Sequence, residues 1–230
     1  MGCKFCASTG LGLERNLTPG EFTGQILAVE REEGIKISNI VVMGIGEPLD
    51  NFENLIDFIN IANDKNGMDI GIRNFTVSTC GLADKIYELA EKGIHINLAL
   101  SIHSADDKKR ASIMPSAKKY KVDDLIKAMK YYTNKTGRRP TYEYTMIRGF
   151  NDSVEDAKNL AVKIKGTIAH VNLIALNEIK QSKLSKAGGQ SIDEFTKVLN
   201  NNGIEVTIRR RLGNDINAAC GQLRRSRSGR

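Results

Sequence analysis

The chain has 230 residues, 40% of them hydrophobic and 27% charged, with a formal net charge of +7. This leaves room for one large domain or two small ones with a full core, and speaks against a disordered chain. Four cysteines in such a length are not a disulfide framework, and no apolar run reaches membrane-spanning length. Met1-Gly2-Cys3 lacks the charged-then-apolar layout of a signal peptide, so a cytoplasmic protein with no membrane partner is expected.

The chain opens with a Cys-x-x-Cys, Cys3 to Cys6, among the glycines Gly2, Gly10 and Gly12. Two thiolates on one turn can share a soft metal centre, and the same spacing also serves a redox pair. Thr18-Pro19-Gly20-Glu21 then reads as a helix start, with Thr18 as cap, Pro19 in the first turn and Glu21 closing a capping box. Phe22, Ile26, Leu27 and Val29 continue an amphipathic helix to Gly34. The apolar run Ile40 to Met43 follows and reads as a strand buried on both faces.

From there strands and helices alternate. The pattern gives a helix over Asn54 to Ala62, a strand over Arg73 to Thr79, and a helix over Asp84 to Lys92 closed by Gly93. It continues with a strand from Ile94 to Ile102, a helix from Val122 to Thr136 closed by Gly137, and a strand from Thr141 to Ile147. Ser153 caps a helix to Lys165, His170 to Ala175 is a strand, and a helix over Ser191 to Asn202 precedes the final strand, Ile204 to Arg209. Such alternation means βα units and a parallel sheet, either open and doubly wound or curled into a barrel. Gly46-Glu47, Ser78-Thr79, Ser101 with His103, and Asn177 fall at or just after strand C-terminal ends, the edge where parallel α/β folds bind ligands. Contributions from so many strand ends to one rim favour a barrel, complete or partial.

Arginines crowd the end of the chain: Arg209-Arg210-Arg211, Arg224-Arg225, Arg227 and Arg230. Clusters of this kind suit phosphate, so nucleic acid is a candidate partner, and residues 224–230 read as a basic, disordered tail.

Five stretches, in one order, resemble the radical S-adenosylmethionine (SAM) superfamily, and specifically its adenine-C2 RNA methyltransferases. They are Met1-Gly2-Cys3-Lys4-Phe5-Cys6, Met43-Gly44-Ile45-Gly46-Glu47-Pro48-Leu49, Val77-Ser78-Thr79-Cys80-Gly81, Ser101-Ile102-His103, and Asn214-Asp215-Ile216-Asn217-Ala218-Ala219-Cys220-Gly221-Gln222-Leu223. The resemblance implies an α/β fold, a partial (β/α)6 TIM-like barrel over residues 1–223 that ends in a methyl-cysteine loop. It also implies that Cys3 and Cys6 match the last two cysteines of a Cys-x-x-x-Cys-x-x-Cys cluster loop. The third cluster cysteine, the barrel's first strand, an N-terminal RNA-binding accessory domain and a second catalytic cysteine would lie upstream of Met1, as in an N-terminally truncated member. Without that first strand, Ile40 to Met43 would carry an unpaired apolar edge, an aggregation hazard.

The same resemblance implies a [4Fe-4S] cluster and S-adenosyl-L-methionine as cofactors. Gly46, Glu47, Ser78, Ser101, Ile102, His103 and Asn177 would bind the latter, with Glu47 accepting hydrogen bonds from its ammonium. Cys220 would be methylated first and would carry the methyl group to C2 of an adenosine in 23S rRNA and tRNA. A reductant such as flavodoxin and a monomeric full-length enzyme are implied as well. Cys80 could substitute as a ligand, although a strand-end thiol is more often a buried structural residue.

Overall fold

The computed structural model describes residues 1–6, 12–177 and 183–209. Among these residues six parallel strands form one sheet: β1 (Ile40–Val42), β2 (Phe75–Thr79), β3 (Asn97–Ser101), β4 (Thr141–Met146), β5 (His170–Ala175) and β6 (Glu205–Ile208). They lie side by side in chain order, β1 to β6. A doubly wound sheet reverses its order at a switch point; this one does not, which is the winding of a barrel. Among the described residues β1 pairs only with β2 and β6 only with β5, so the barrel is partial.

Among the described residues seven helices connect and flank the strands: α1 (Pro19–Glu33), α2 (Phe52–Asn63), α3 (Ala83–Glu91), α4 (Asp107–Ile113), α5 (Val122–Thr136), α6 (Val154–Ile164) and α7 (Gly189–Asn201). Local chemistry sets their ends. Thr18 and Glu21 form the expected capping box on α1, and Ser153 with Asp156 forms another on α6. Gly34 and Gly137 stop α1 and α5 in the left-handed conformation, at φ 66° and 67°, where a residue with Cβ is strained. No helix among the described residues is long and apolar enough to cross a membrane.

The strand register sorts the sheet into two faces. Phe75, Val77, Leu98, Leu100, Tyr142, Tyr144, Val171 and Leu173 belong to one buried core together with Leu55, Ile59, Ile86, Leu89, Leu125 and Leu160 of the helices. Each such side chain removed from water contributes on the order of 1.5–3 kcal/mol. The opposite face carries Thr76 beside Asn97, Ser101 beside Glu143, and Glu143 beside Asn172, which in turn sits beside Thr207. This polar face lines the concave side of the partial barrel.

Three expectations need correction. Strand β1 is not buried on both faces: Ile40 is buried, but Val41 is 58% exposed, because β1 stands at the edge of the sheet. The strand expected over Ile94 to Ile102 is shorter, Asn97–Ser101, and a 3-10 turn over Ile72–Asn74 replaces the start expected at Arg73. Helix α4, by contrast, was not foreseen at all. Only Arg110 and Ile113 of its seven residues are buried, so it has no apolar stripe to announce it.

Candidate active site at the strand C-terminal ends

The polar strand ends gather beneath the Cys3–Cys6 segment. The Cys6 amide donates to the Cys3 carbonyl at 3.1 Å, closing a β-turn, and the Lys4 amide donates to Ile113 O at the end of α4 at 2.9 Å. Cys3 and Phe5 pack on a second, smaller apolar cluster of Cys80, Ile113, Met114, Ala117, Ile147 and Leu176, which closes this end of the barrel. The Phe5 ring meets His103 edge-on, with centroids 4.7 Å apart. Burial, and then the neighbouring Cys6, pushes the Cys3 thiol up to about 11.

Gly46 follows β1 at φ 98°, with open space where a Cβ would stand. It turns the chain so that Glu47 points inward. Glu47 is 9% exposed; its Oε1 accepts from the Leu49 amide at 3.1 Å and its Oε2 from the Cys80 amide at 2.7 Å. Burial raises its pKa, against the lowering effect of bonds from Cys80, Thr79 and Leu49. Among the described residues no cation pairs with it.

His103 is buried, at φ 53°, and its Nδ1 accepts from the Thr145 amide at 2.9 Å. The proton of the neutral ring therefore sits on Nε2. Burial first, and then the charge of Arg110, lower its pKa to about 3. Asn151, also buried, donates from Nδ2 to His103 O (2.7 Å) and Thr145 O (2.9 Å), and accepts at Oδ1 from the Ile147 amide (2.7 Å). Ser78 and Ser101 are half-buried on the concave face, Ile102 is buried behind it, and Asn177 is half-buried two residues beyond β5.

Arg110 joins these strand ends. Its side chain is fully buried, with Nε donating to Ile102 O (3.0 Å) and Nη2 to both Cys80 O (2.7 Å) and Ser101 O (3.2 Å). A planar fork of donors matches several converging carbonyls, which a lysine could not do. One continuous network thus runs from Glu47 through Cys80 to Arg110, Ser101 and Ile102. The Ile102 amide then donates to Glu143 O of β4 at 3.1 Å. Sequence reasoning missed Arg110 and Asn151, and also Glu143, whose carboxylate accepts from Asn172 Nδ2 at 2.8 Å on the concave face. Burial raises the pKa of Glu143. The available signal for Glu143 and Asn172 was the polar alternation within β4 and β5, which reads equally well as a solvent face.

Cys80 is buried, with its Sγ 3.8 Å from Met1 Sδ, and burial pushes its thiol well above the ordinary range. It does not complete a metal site: the described residues contain no group of three or more His, Cys, Asp or Glu that could hold a metal ion. Cys3 and Cys6 are two soft donors on one turn, fewer than the three that a site-open four-iron cluster requires of its protein. The described donor set therefore does not by itself fit that cluster. Cys220, Arg210, Arg211 and the basic tail from Arg224 to Arg230 lie outside the described residues.

The sequence matches the Radical SAM superfamily over residues 1–161. This chain belongs to that superfamily. It is 54% identical over 226 residues to a probable dual-specificity RNA methyltransferase RlmN of Clostridium botulinum, an alignment covering 98% of this chain and 65% of the relative. A Clostridium perfringens protein of the same name is 51% identical over the same share of each. Among solved structures, a radical SAM methyltransferase from Sphaerobacter thermophilus superposes with a TM-score of 0.92 at 42% identity, covering 96% of this chain and 66% of that one. SuiB of Streptococcus suis, solved with S-adenosylmethionine, shares the fold with a TM-score of 0.64 at 17% identity, over 91% of this chain and 47% of SuiB. The chain thus spans about two thirds of the length of its RlmN relatives. Superfamily membership implies a [4Fe-4S] cluster and S-adenosylmethionine as cofactors.

Proposed function

We propose that this chain carries the barrel of an RNA methyltransferase that moves a methyl group from S-adenosylmethionine to C2 of an adenosine in 23S rRNA and tRNA. The observation that carries the reading is Glu47, a buried carboxylate at a strand C-terminal end with no cation beside it among the described residues. A buried charge is costly unless paired, and the ammonium of the cofactor's methionyl group is a partner of the right sign and size. Around it, Ser78, Ser101 and the Ile102–His103 backbone offer short polar groups for the carboxylate and ribose, and Asn177 an amide for the adenosine. Gly46 leaves open space for close approach.

Cys220 is the methyl carrier in this reading. Its thiolate attacks the sulfonium methyl carbon of S-adenosylmethionine; the S–CH3 bond to the cofactor breaks as the new S–CH3 bond forms, and S-adenosylhomocysteine leaves. Thiolates suit this displacement, whereas the C2 carbon of adenine is not a nucleophile. Arg209, just after β6, would lie toward the RNA. A low-potential donor such as flavodoxin and a monomeric full-length state complete the proposal.

The test is nucleoside mass spectrometry of 23S rRNA and tRNA after anaerobic reaction with the iron-reconstituted chain. We expect 2-methyladenosine with the wild type and none with Cys220→Ala. Calorimetry with S-adenosylmethionine should show Glu47→Gln binding about tenfold or more weakly, as for a lost charged hydrogen bond. The two-thiolate donor set favours one second reading, an RNA-binding α/β chain without chemistry of its own. Unmodified RNA from a chain that binds RNA and retains no iron would assign that reading.

A further inference from the structure

Among the described residues ion pairs fasten the helical shell, as in Lys92–Glu53, Lys109–Asp156, Lys135–Glu91 and Lys163–Asp123, or the strand N-terminal ends, as in Arg139–Glu205. Exposed cations with no carboxylate at ion-pair distance among the described residues also occur on the shell, Lys130, Lys158 and Lys197 among them, but around the Cys3–Cys6 turn four stand together. Lys4, Lys118, Arg148 and Lys183 are exposed there, and none has a carboxylate within ion-pair distance among the described residues.

The four are held at fixed places on one support. Lys4 donates its amide to Ile113 O, and Lys118 ends the 3-10 turn that contains Ala117. Arg148 follows Ile147, which bridges antiparallel to Lys186; its amide donates to Ser185 O at 2.9 Å and its Nε to Lys186 O at 3.1 Å. Lys183 precedes Leu184. Ile113, Ala117, Ile147 and Leu184 all pack in the apolar cluster that seats Cys3 and Phe5. The one carboxylate on the same turn as Arg148, Asp152, accepts from the Gly149 amide at 2.8 Å.

We propose that Lys4, Lys118, Arg148 and Lys183 form a phosphate-binding shoulder that grips the RNA backbone beside the mouth of the site; this rests on the RNA reading above. A lysine already paired with a carboxylate must give up that partner to bind phosphate. Among the described residues these four have no carboxylate to give up, although Arg148 Nε also holds Lys186 O, and each phosphate they neutralise releases counterions from the RNA. Their place at the strand C-terminal ends puts the backbone next to Glu47 and His103, where an extruded base would have to arrive.

The experiment is fluorescence anisotropy of the full chain with a labelled RNA hairpin over a series of salt concentrations. Three proteins are compared: wild type, the shoulder set K4Q/K118Q/R148Q/K183Q, and a shell set K92Q/K127Q/K135Q/K163Q that removes equal charge. Because the Arg148 side chain also holds Lys186 O, the triple variant K4Q/K118Q/K183Q is measured as well. The shoulder set should flatten the slope of log affinity against log salt by about 2–4, and the triple by about 2–3, at roughly 0.7–0.9 per phosphate contact. The shell set should change it by less than about one. Equal effects from the shoulder and shell sets, with wild-type binding intact, would overturn the shoulder and leave the RNA reading standing. Wild-type chain that binds no RNA at the lowest salt would overturn both.

Discussion

Strand β4 carries Tyr142, Tyr144 and Met146 on the helix-covered side of the sheet and Thr141, Glu143 and Thr145 on the concave side. The first set behaves as core: the Tyr144 ring meets Phe195 of α7 at 4.9 Å between centroids, and its hydroxyl donates to Asn151 O at 2.7 Å. The second set is almost as well shielded at the centre of the sheet, since Glu143 and Thr145 are also buried, yet it is polar. Burial alone does not distinguish the two faces; chemistry does. A sheet that needed only stability would fill both faces with Val, Ile and Leu, as layered α/β sheets do. Polar side chains held on a shielded concave face are the mark of a surface built to meet a ligand.

Two adjacent residues give this comparison its sharpest test. Leu100 points into the helix-side core and Ser101 onto the concave face. Leu100→Ala should cost about 2–5 kcal/mol in chemical denaturation, through lost burial and the cavity left behind. Ser101→Ala should change stability by no more than about 0.5 kcal/mol and instead weaken cofactor binding. Comparable stability losses at both positions would mean that the concave face is a structural core after all.

Much of this arrangement was legible in the sequence. The capping box of Thr18 and Glu21, the stop at Gly137, and the order and number of the strands all follow from local signals, and local signals survive folding. What escaped was set by topology. Ile40-Val41-Val42 is as apolar as a central strand, but whether a strand is central depends on its neighbours, and among the described residues β1 has one. Arg110 escaped for a related reason. Arginine is ordinarily a surface residue, and nothing local in Asp107–Ile113 says that carbonyls of Cys80, Ser101 and Ile102 converge on it. The candidate residues Glu47, Ser101 and His103 could be placed at strand ends from periodicity, whereas their linkage through Arg110 and Asn151 could not.

His103 sharpens the comparison in another way, because it is a titratable group enclosed where the two faces meet at the rim. With its pKa lowered from 6.5 to about 3, it stays neutral in the folded chain. The unfolded chain binds the extra proton below its ordinary pKa and the folded chain does not. Stability from this group is therefore present above about 6.5 and lost as pH falls toward 3, at up to about 1.4 kcal/mol per pH unit. His103→Asn keeps a side-chain oxygen for the Thr145 amide and tolerates the left-handed backbone. It should flatten the stability–pH profile between those limits, with less effect near neutrality. A profile unchanged by the substitution would place the acid sensitivity elsewhere.

The smallest effect on folding is expected at the open edge, where the helix side and the concave side both thin out. Val41 is 58% exposed on a strand whose far edge has no partner among the described residues, and Ile45 is exposed just beyond it. An unpaired apolar edge of parallel sheet is a template for another strand. Since Val41 contributes little burial, Val41→Lys should move stability by no more than about 0.5 kcal/mol. The same lysine charges the edge, so light scattering at rising protein concentration should show later and weaker association than for the wild type. A wild-type chain that remains a sharp monomeric peak at high concentration would show that three residues of strand are too short an edge to recruit a partner, and that the liability lies in length rather than in composition.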